Sequence, residues 1–138
     1  MKIVVFFLLL ALTACQHTRA TEGPLDTLSP GELNQRADKY DGVRVSVRGF
    51  LFEESENHAV WDSVEASQQS DASHCISVLY PDVLSKKLKR ANRKTVLLSG
   101  VFRHDITSAN EVFLGLCNKS AIVLDVGSNV LPIPEAAH

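Results

Sequence analysis

The sequence predicts a mainly β domain, a small five-stranded barrel with a short helix between its third and fourth strands. Residues 43–48 alternate apolar and polar side chains, which is typical of a strand with one buried face. Further apolar stretches follow this strand, and a predicted helix at residues 81–90 lies among them. The remaining predicted strands are residues 59–64, 75–80, 95–102 and a last region in two parts, 112–116 and 121–126.

The first and fourth predicted strands share a residue pattern at a constant offset of 51 positions. The matched pairs are Val45 with Val96, Val47 with Leu98, and Gly49 with Gly100. A glycine late in a strand is typical of a closed, strongly curved sheet, where a bulge or a close backbone approach leaves no room for a side chain. The repeated glycine therefore favours a barrel over a flat sheet.

A short helix is predicted to precede the first strand of the barrel. Ser29 suits the N-cap position, Pro30 the first helical position, and Glu32 is spaced to reach back to Ser29 as a capping box. The helix should extend to about residue 39, where Asp41 and Gly42 end it. We expect it to cover one end of the core.

The start of the chain has the pattern of an export signal. A brief positive region is followed by apolar residues 3–12, too few to cross a bilayer that takes about 20 residues. The next residues, Leu12-Thr13-Ala14-Cys15, resemble the lipobox of bacterial lipoproteins. The resemblance implies that the Cys15 sulfur receives a diacylglyceryl group and that residues 1–14 are removed. An ordinary secretory signal with a chance cysteine is the alternative.

The lipobox also implies a location. Gln16 follows the cysteine, where lipoproteins retained at the inner membrane usually carry aspartate. The resemblance therefore implies a lipid-anchored protein on the periplasmic face of the bacterial outer membrane. A second spanning helix is not needed, because more than one acyl chain holds a protein stably at a bilayer.

The organisation of the chain follows from this signal. We predict a signal peptide at residues 1–14, a flexible tether at 15–27, a single barrel domain at 28–130 and a C-terminal tail at 131–138. Removal of the signal leaves a small acidic excess, which does not favour nucleic acid as the main partner.

The chain has three cysteines. If Cys15 carries lipid, Cys75 and Cys117 remain as a pair in an oxidising compartment, and we predict a disulfide between them. A redox-active or metal-binding thiol pair is the alternative, but the Cys-x-x-Cys spacing of such sites is absent from the sequence.

The order of three strands, one helix and two strands resembles the OB-fold, a five-stranded Greek-key barrel. The resemblance covers residues 43–126 and depends on element order; an unrelated β-sandwich or an open α+β sheet is the alternative. OB-folds usually bind ligands on their second and third strands and on two adjoining loops. The resemblance therefore implies a binding surface that includes Trp61, His58, His104 and Asn110.

Trp61 has two interpretations, as a core residue or as an exposed platform for a sugar ring or an apolar side chain. The neighbouring predicted loops are polar and acidic, whereas single-stranded nucleic acid needs several aromatic platforms in a basic groove. We therefore predict that the partner is an envelope protein or, less favoured, a glycan, and that it is not a nucleic acid.

The predicted helix at residues 81–90 carries the densest positive charge of the chain. We expect Val83, Leu84 and Leu88 to form its buried stripe. Its cations either complement the negative end of the helix or face an anionic membrane surface. The predicted membrane-facing residues are Lys86, Lys87, Lys89, Arg90, Arg93 and Lys94.

Catalytic motifs are missing from the sequence. It contains neither Gly-x-Ser-x-Gly nor Ser-x-x-Lys, and His58, His74 and His104 lack the spacing of known metal sites. We therefore predict no catalytic residue, no metal and no cofactor, and a non-enzymatic binding or envelope-assembly role. Two alternatives stay open: a small metal-dependent or hydrolytic envelope enzyme that uses loop histidines and carboxylates, and a purely structural lipoprotein.

Overall fold

The computed structural model describes residues 25–107 and 117–134. Its strands are β1 Thr27–Leu28, β2 Arg44–Glu54, β3 Asn57–Trp61, β4 Cys75–Leu79, β5 Thr95–Arg103, β6 Ala121–Val123 and β7 Val130–Pro132. Its α-helices are α1 Pro30–Gln35, α2 Ala37–Tyr40, α3 Val64–Gln69 and α4 Ser85–Ala91, and two 3-10 helices span Ala72–His74 and Asp82–Leu84. Among these helices, none combines the length and the apolar character that crossing a membrane requires.

Five strands close into a barrel in the order β2-β3-β4-β6-β5, and β5 pairs back onto β2. All of these pairings are antiparallel except that of β4 with β6, which is parallel. The order matches the OB-fold, with α4 in the connection between the third and fourth barrel strands. The predicted fold class, a mainly β, OB-like five-stranded barrel, is therefore confirmed.

The long strand β2 shows how the barrel closes. Its first part, from Arg44 to Phe50, pairs with β5, and its last part, from Phe50 to Glu54, pairs with β3. Between the two parts, a Cβ on Gly49 would lie 2.3 Å from the carbonyl oxygen of Trp61. The equivalent Gly100 of β5 has the same relation to the carbonyl oxygen of Val123, at 2.5 Å. The close backbone approach predicted at both glycines is confirmed.

Short β-strands extend the barrel at its two flanks. β1 pairs in parallel with β2 at Ser46 and Val47, and β7 pairs with β5 from Val96 to Leu98. The last barrel strand, β6, occupies only three positions of the predicted final region. The predicted segment 112–116 lies outside the described residues.

The N-terminal helix begins as predicted. The Ser29 side chain accepts a hydrogen bond from the Glu32 N–H, and the Glu32 carboxylate accepts one from the Ser29 N–H, which completes the capping box. The predicted single helix is divided, since α1 ends at Gln35 and α2 begins at Ala37. Leu33 of α1 is fully buried in the core.

The second predicted strand was placed too far along the chain. β3 begins at Asn57 and ends at Trp61, whereas Val64 is the first residue of α3. Ser63 explains the difference, because its side chain accepts a hydrogen bond from the Ala66 N–H and caps the helix. Residues predicted as a loop after this strand therefore contain α3 and a 3-10 helix.

The buried stripe of α4 was predicted correctly at Leu84 and Leu88 but not at Val83, whose side chain is 68% exposed. Residues 82–84 form a 3-10 helix, with about three residues per turn, so Val83 does not share a face with its neighbours. Ala91 completes the buried face instead.

Candidate functional site

The outer face of β2, β3 and β4, where OB-folds usually bind ligands, carries a second hydrophobic cluster separate from the barrel interior. Trp61 lies in this cluster and is only 2% exposed, and Ala66 of α3 packs against the cluster. The expectation that the barrel presents Trp61 to a ligand does not hold in this structure, because a buried indole has no free face.

The predicted disulfide is present. Cys75, at the start of β4, is bonded to Cys117 across a sequence separation of 42 residues. Cys75 is fully buried and belongs to the same outer-face cluster as Trp61. The neighbouring Asn118 side chain donates a hydrogen bond to the Ala72 carbonyl oxygen, at 2.9 Å. Together these contacts attach the segment before β6 to the start of β4.

A groove runs beside the covered Trp61, between the outer face of β2 and helix α3. Two depressions form it, with volumes of about 560 and 210 Å³, and they share Phe50 and Val64 as lining residues. Both phenylalanines of β2 in this groove are half-buried. We call it the β2–α3 groove and define it by Arg48, Phe50, Phe52, Asp62, Val64 and Glu65.

Sequence reasoning did not single out Phe50 and Phe52 as binding residues. The usable signal was the alternation of β2, which continues through Gly49: Arg48, Phe50 and Phe52 are two positions apart, so they share the outer face. The inward residue between the phenylalanines, Leu51, is fully buried.

Arg48 is the free cation of the β2–α3 groove. It is exposed, and the described residues offer it no ion-pair partner. A neighbouring carboxylate, that of Asp62, is already engaged: one oxygen accepts from the Gly31 N–H at 2.8 Å, and the other lies 2.6 Å from His74 Nδ1. The Arg48 guanidinium is therefore available to a carboxylate on a ligand.

The charges at the groove rim are held by local hydrogen bonds. The hydrogen bond with Asp62 raises the pKa of His74 above its usual value, and the Asp62 charge acts in the same direction. A hydrogen bond to its own backbone N–H, followed by one from Ser63, lowers the pKa of Glu65. Glu65 thus stays ionised at the start of α3.

His58 takes part in a buried polar cluster at the end of β2. The Glu53 side chain, only 1% exposed, accepts a hydrogen bond from the Tyr80 hydroxyl and lies 2.9 Å from His58 Nδ1. Burial, followed by the hydrogen bond to Glu53, raises the pKa of Tyr80 well above its usual range. His58 is thus positioned to stabilise the buried carboxylate of Glu53.

His104 lies elsewhere, after β5 and near α2. Its backbone N–H donates to Asp41 Oδ1 at 3.0 Å, and its ring Nδ1 is 3.9 Å from Asp38 Oδ1. Because His58 lies beside the end of β2 and His104 beside its start, the length of this strand, up to about 30 Å, separates them. Asn110, the fourth predicted surface residue, lies outside the described residues.

The three histidines that the structure describes do not assemble a metal site. His58, His74 and His104 each lie beside different carboxylates, those of Glu53, of Asp62 with Asp71, and of Asp38. Within residues 25–107 and 117–134, no three His, Cys, Asp or Glu side chains meet in an arrangement that suits a metal ion.

Comparisons of the chain with protein-family models, with curated proteins and with solved structures find no match. The fold is identified by its own strand order and pairing, including the parallel pair of β4 and β6.

Proposed function

We propose that the chain is a lipid-anchored lipoprotein on the periplasmic face of the outer membrane, and that its barrel is a non-enzymatic module that binds another envelope component. The single observation that carries the binding role is the β2–α3 groove, in which half-exposed aromatic rings lie next to the Arg48 guanidinium, which has no ion-pair partner among the described residues. A protein segment is favoured over a glycan as the occupant.

The chemistry of the groove supports a protein partner. Phe50 and Phe52 supply apolar contact area at little cost in side-chain entropy, and Arg48 offers a planar pair of donors that matches a carboxylate. Aromatic and arginine side chains together are typical of the residues that dominate binding energy at protein interfaces. The groove thus fits an apolar side chain of a partner with an acidic group beside it.

The alternative enzyme has less support. It requires loop histidines and carboxylates to meet around one reacting group, whereas His58 and His104 lie at the two ends of β2. The purely structural alternative predicts a different outcome in cells, since alteration of the groove would then leave every contact of the protein unchanged.

The anchor is tested by metabolic labelling with palmitate. Cys15 should incorporate label, and the Cys15→Ser variant should not, because the serine hydroxyl does not replace the thiolate as the nucleophile for the lipid. Fractionation should place the labelled protein in the outer membrane. A wild-type chain that incorporates no label would contradict the lipid anchor. The binding role of the groove is tested separately by crosslinking.

The groove is tested by photocrosslinking in intact cells. A photoreactive amino acid in place of Gln68, which lines the groove, should crosslink to a defined protein partner, and Arg48→Glu should remove that product. The same photoreactive residue in place of Leu131, exposed on β7, is the matched control. Identical products from both positions, or products indifferent to Arg48→Glu, would contradict binding in the groove.

A further inference from the structure

The surface around α4 is strongly positive. All six of its predicted cations are exposed, namely Lys86, Lys87, Lys89, Arg90, Arg93 and Lys94. Among the described residues, Glu54 pairs with Arg93 at 2.6 Å, and Asp82 lines the same shallow depression as Lys86, Lys89 and Arg90. Six cations against these two carboxylates leave this surface, which we call the α4 surface, with an excess of positive charge.

Exposed apolar side chains border the α4 surface. Val126 and Val83, exposed at 77% and 68%, have the highest exposure among the large apolar residues that the structure describes. Val83 lies in the 3-10 helix Asp82–Leu84, two residues before α4, and Val126 lines a groove together with Pro81. Apolar tips among lysine and arginine side chains are typical of protein surfaces that lie on a membrane interface.

The chain between the proposed lipid and the barrel is long enough for this contact. Twelve residue steps separate Cys15 from Thr27, which allows a span of up to about 40 Å. β1 pairs with β2 at Val47, and the segment after α4 reaches β2 at Leu51, where the Arg93 N–H donates to its carbonyl oxygen. The two places are about 13 Å apart along the strand, well within that span.

We propose that the α4 surface rests on anionic phospholipid headgroups of the membrane that holds the lipid anchor. This inference builds on the proposed function, because the anchor keeps the barrel beside a bilayer. Charge complementarity selects the anionic lipid, and Val83 and Val126 enter the headgroup layer. Contact through α4 turns that end of the barrel toward the bilayer. Arg93 belongs to the α4 surface and also lines the β2–α3 groove beside Phe52, so the groove borders the end that faces the membrane.

The test measures sedimentation of the mature chain, residues 15–138 with Cys15→Ser, together with vesicles. Vesicles with about one-third phosphatidylglycerol should bind the protein, and pure phosphatidylcholine vesicles should not. A basic side chain near an anionic surface changes affinity roughly fivefold, so Lys86→Gln with Lys87→Gln and Lys89→Gln should weaken binding on the order of 100-fold. Val83→Ser should weaken it several-fold without any change of charge.

The matched control changes three cations near the start of β2, by Arg36→Gln, Lys39→Gln and Arg103→Gln, and should leave binding nearly unchanged. Equal losses in both triple variants, or a wild-type chain that ignores phosphatidylglycerol, would overturn the proposal. Tighter binding to soluble dextran sulfate than to the vesicles would assign the α4 surface to an anionic glycan and also overturn it. Since the tested chain has no lipid, failure of acylation in cells is a separate result.

Discussion

Glu53 illustrates how a barrel accommodates a carboxylate in its interior. Its side chain is almost fully buried, and a buried charge is costly unless hydrogen bonds replace the lost water. Tyr80 and His58 supply these contacts, and the Glu53 backbone N–H donates to Asn92 Oδ1 at 2.9 Å. The polar cluster at the end of β2 therefore depends on each of its members.

Tyr80→Phe should destabilise the protein by about 1.5 to 3 kcal/mol, because it removes a hydrogen bond to a buried carboxylate and leaves the packing of the ring intact. Urea unfolding measures the difference. Tyr40→Phe is the control: Tyr40 is buried, whereas Tyr80 is half-buried, and the Tyr40 hydroxyl has no hydrogen-bond partner among the described residues. This change should cost under about 0.5 kcal/mol. Equal effects of the two substitutions would contradict the role of Tyr80.

His74 should titrate above its ordinary pKa of 6.5, because its imidazolium is hydrogen-bonded to Asp62. A raised folded-state pKa means that the stabilisation is fully present below the unfolded value and is lost as the pH rises through the folded value. NMR titration of the ring protons measures the shift. In Asp62→Asn, which keeps an acceptor for the Gly31 N–H, the pKa should fall toward 6.5; an unchanged pKa would contradict this pairing.

Local features of single residues were predictable from the sequence, and burial on the outer face was not. The capping box of Ser29 and Glu32 needs only its own turn of helix, so its residue spacing was sufficient to predict it. Whether Trp61 or Phe50 remains open to a ligand depends on where α3 packs, which is a tertiary contact. The sequence prediction assigned the candidate site to Trp61, which is buried, and did not include Phe50, which lines the β2–α3 groove.

The curvature of β2 and β5 is the element-scale basis of the barrel. Because backbone atoms of the neighbouring strand lie where the Cβ of Gly49 would be, a side chain there must displace a strand. We expect Gly49→Ala to destabilise the protein by about 2 kcal/mol or more. Gly127→Ala is the control, since its Cβ would meet Asp125 Oδ1 at 3.4 Å, an ordinary contact. Thermal unfolding that ranks the two variants the other way would contradict the close approach.

The disulfide joins the start of β4 to the segment before β6. Its loop of 42 residues restricts the unfolded chain, and the entropy of closing such a loop corresponds to about 4 kcal/mol as an upper figure. Cys75→Ser with Cys117→Ser should lower the free energy of unfolding by up to this amount, measured in urea against the oxidised chain. An oxidised chain no more stable than the double variant would contradict the prediction.

Element boundaries were harder to predict than element types. The apolar stretch that includes Val60 and Val64 does not itself distinguish one strand from a strand followed by a helix. The Ser63 cap distinguishes the two structures. Its side chain accepts a hydrogen bond from the Ala66 N–H, a group that would instead pair with the neighbouring strand if β3 continued. In contrast, Gly49 and Gly100 mark positions that only a curved sheet explains, so their prediction was correct.

At the scale of the whole molecule, the order of elements was enough to predict a closed barrel. Closure requires the last barrel strand, β6, to lie between β4 and β5. The connection through α4 leaves the position between these two strands open for β6. The flanking strands β1 and β7 were not predicted, since two- and three-residue strands have too few residues for a recognisable alternation.

The covered outer face and the barrel interior should unfold as one unit. Trp61, the single tryptophan of the chain, lies in the outer cluster, while its neighbour Val60 on β3 belongs to the interior core. Tryptophan emission and far-UV circular dichroism should therefore give the same urea midpoint. The two curves should also shift together in the variant without Cys75 and Cys117. A fluorescence midpoint at lower urea would mean that α3 and the outer cluster detach before the barrel opens.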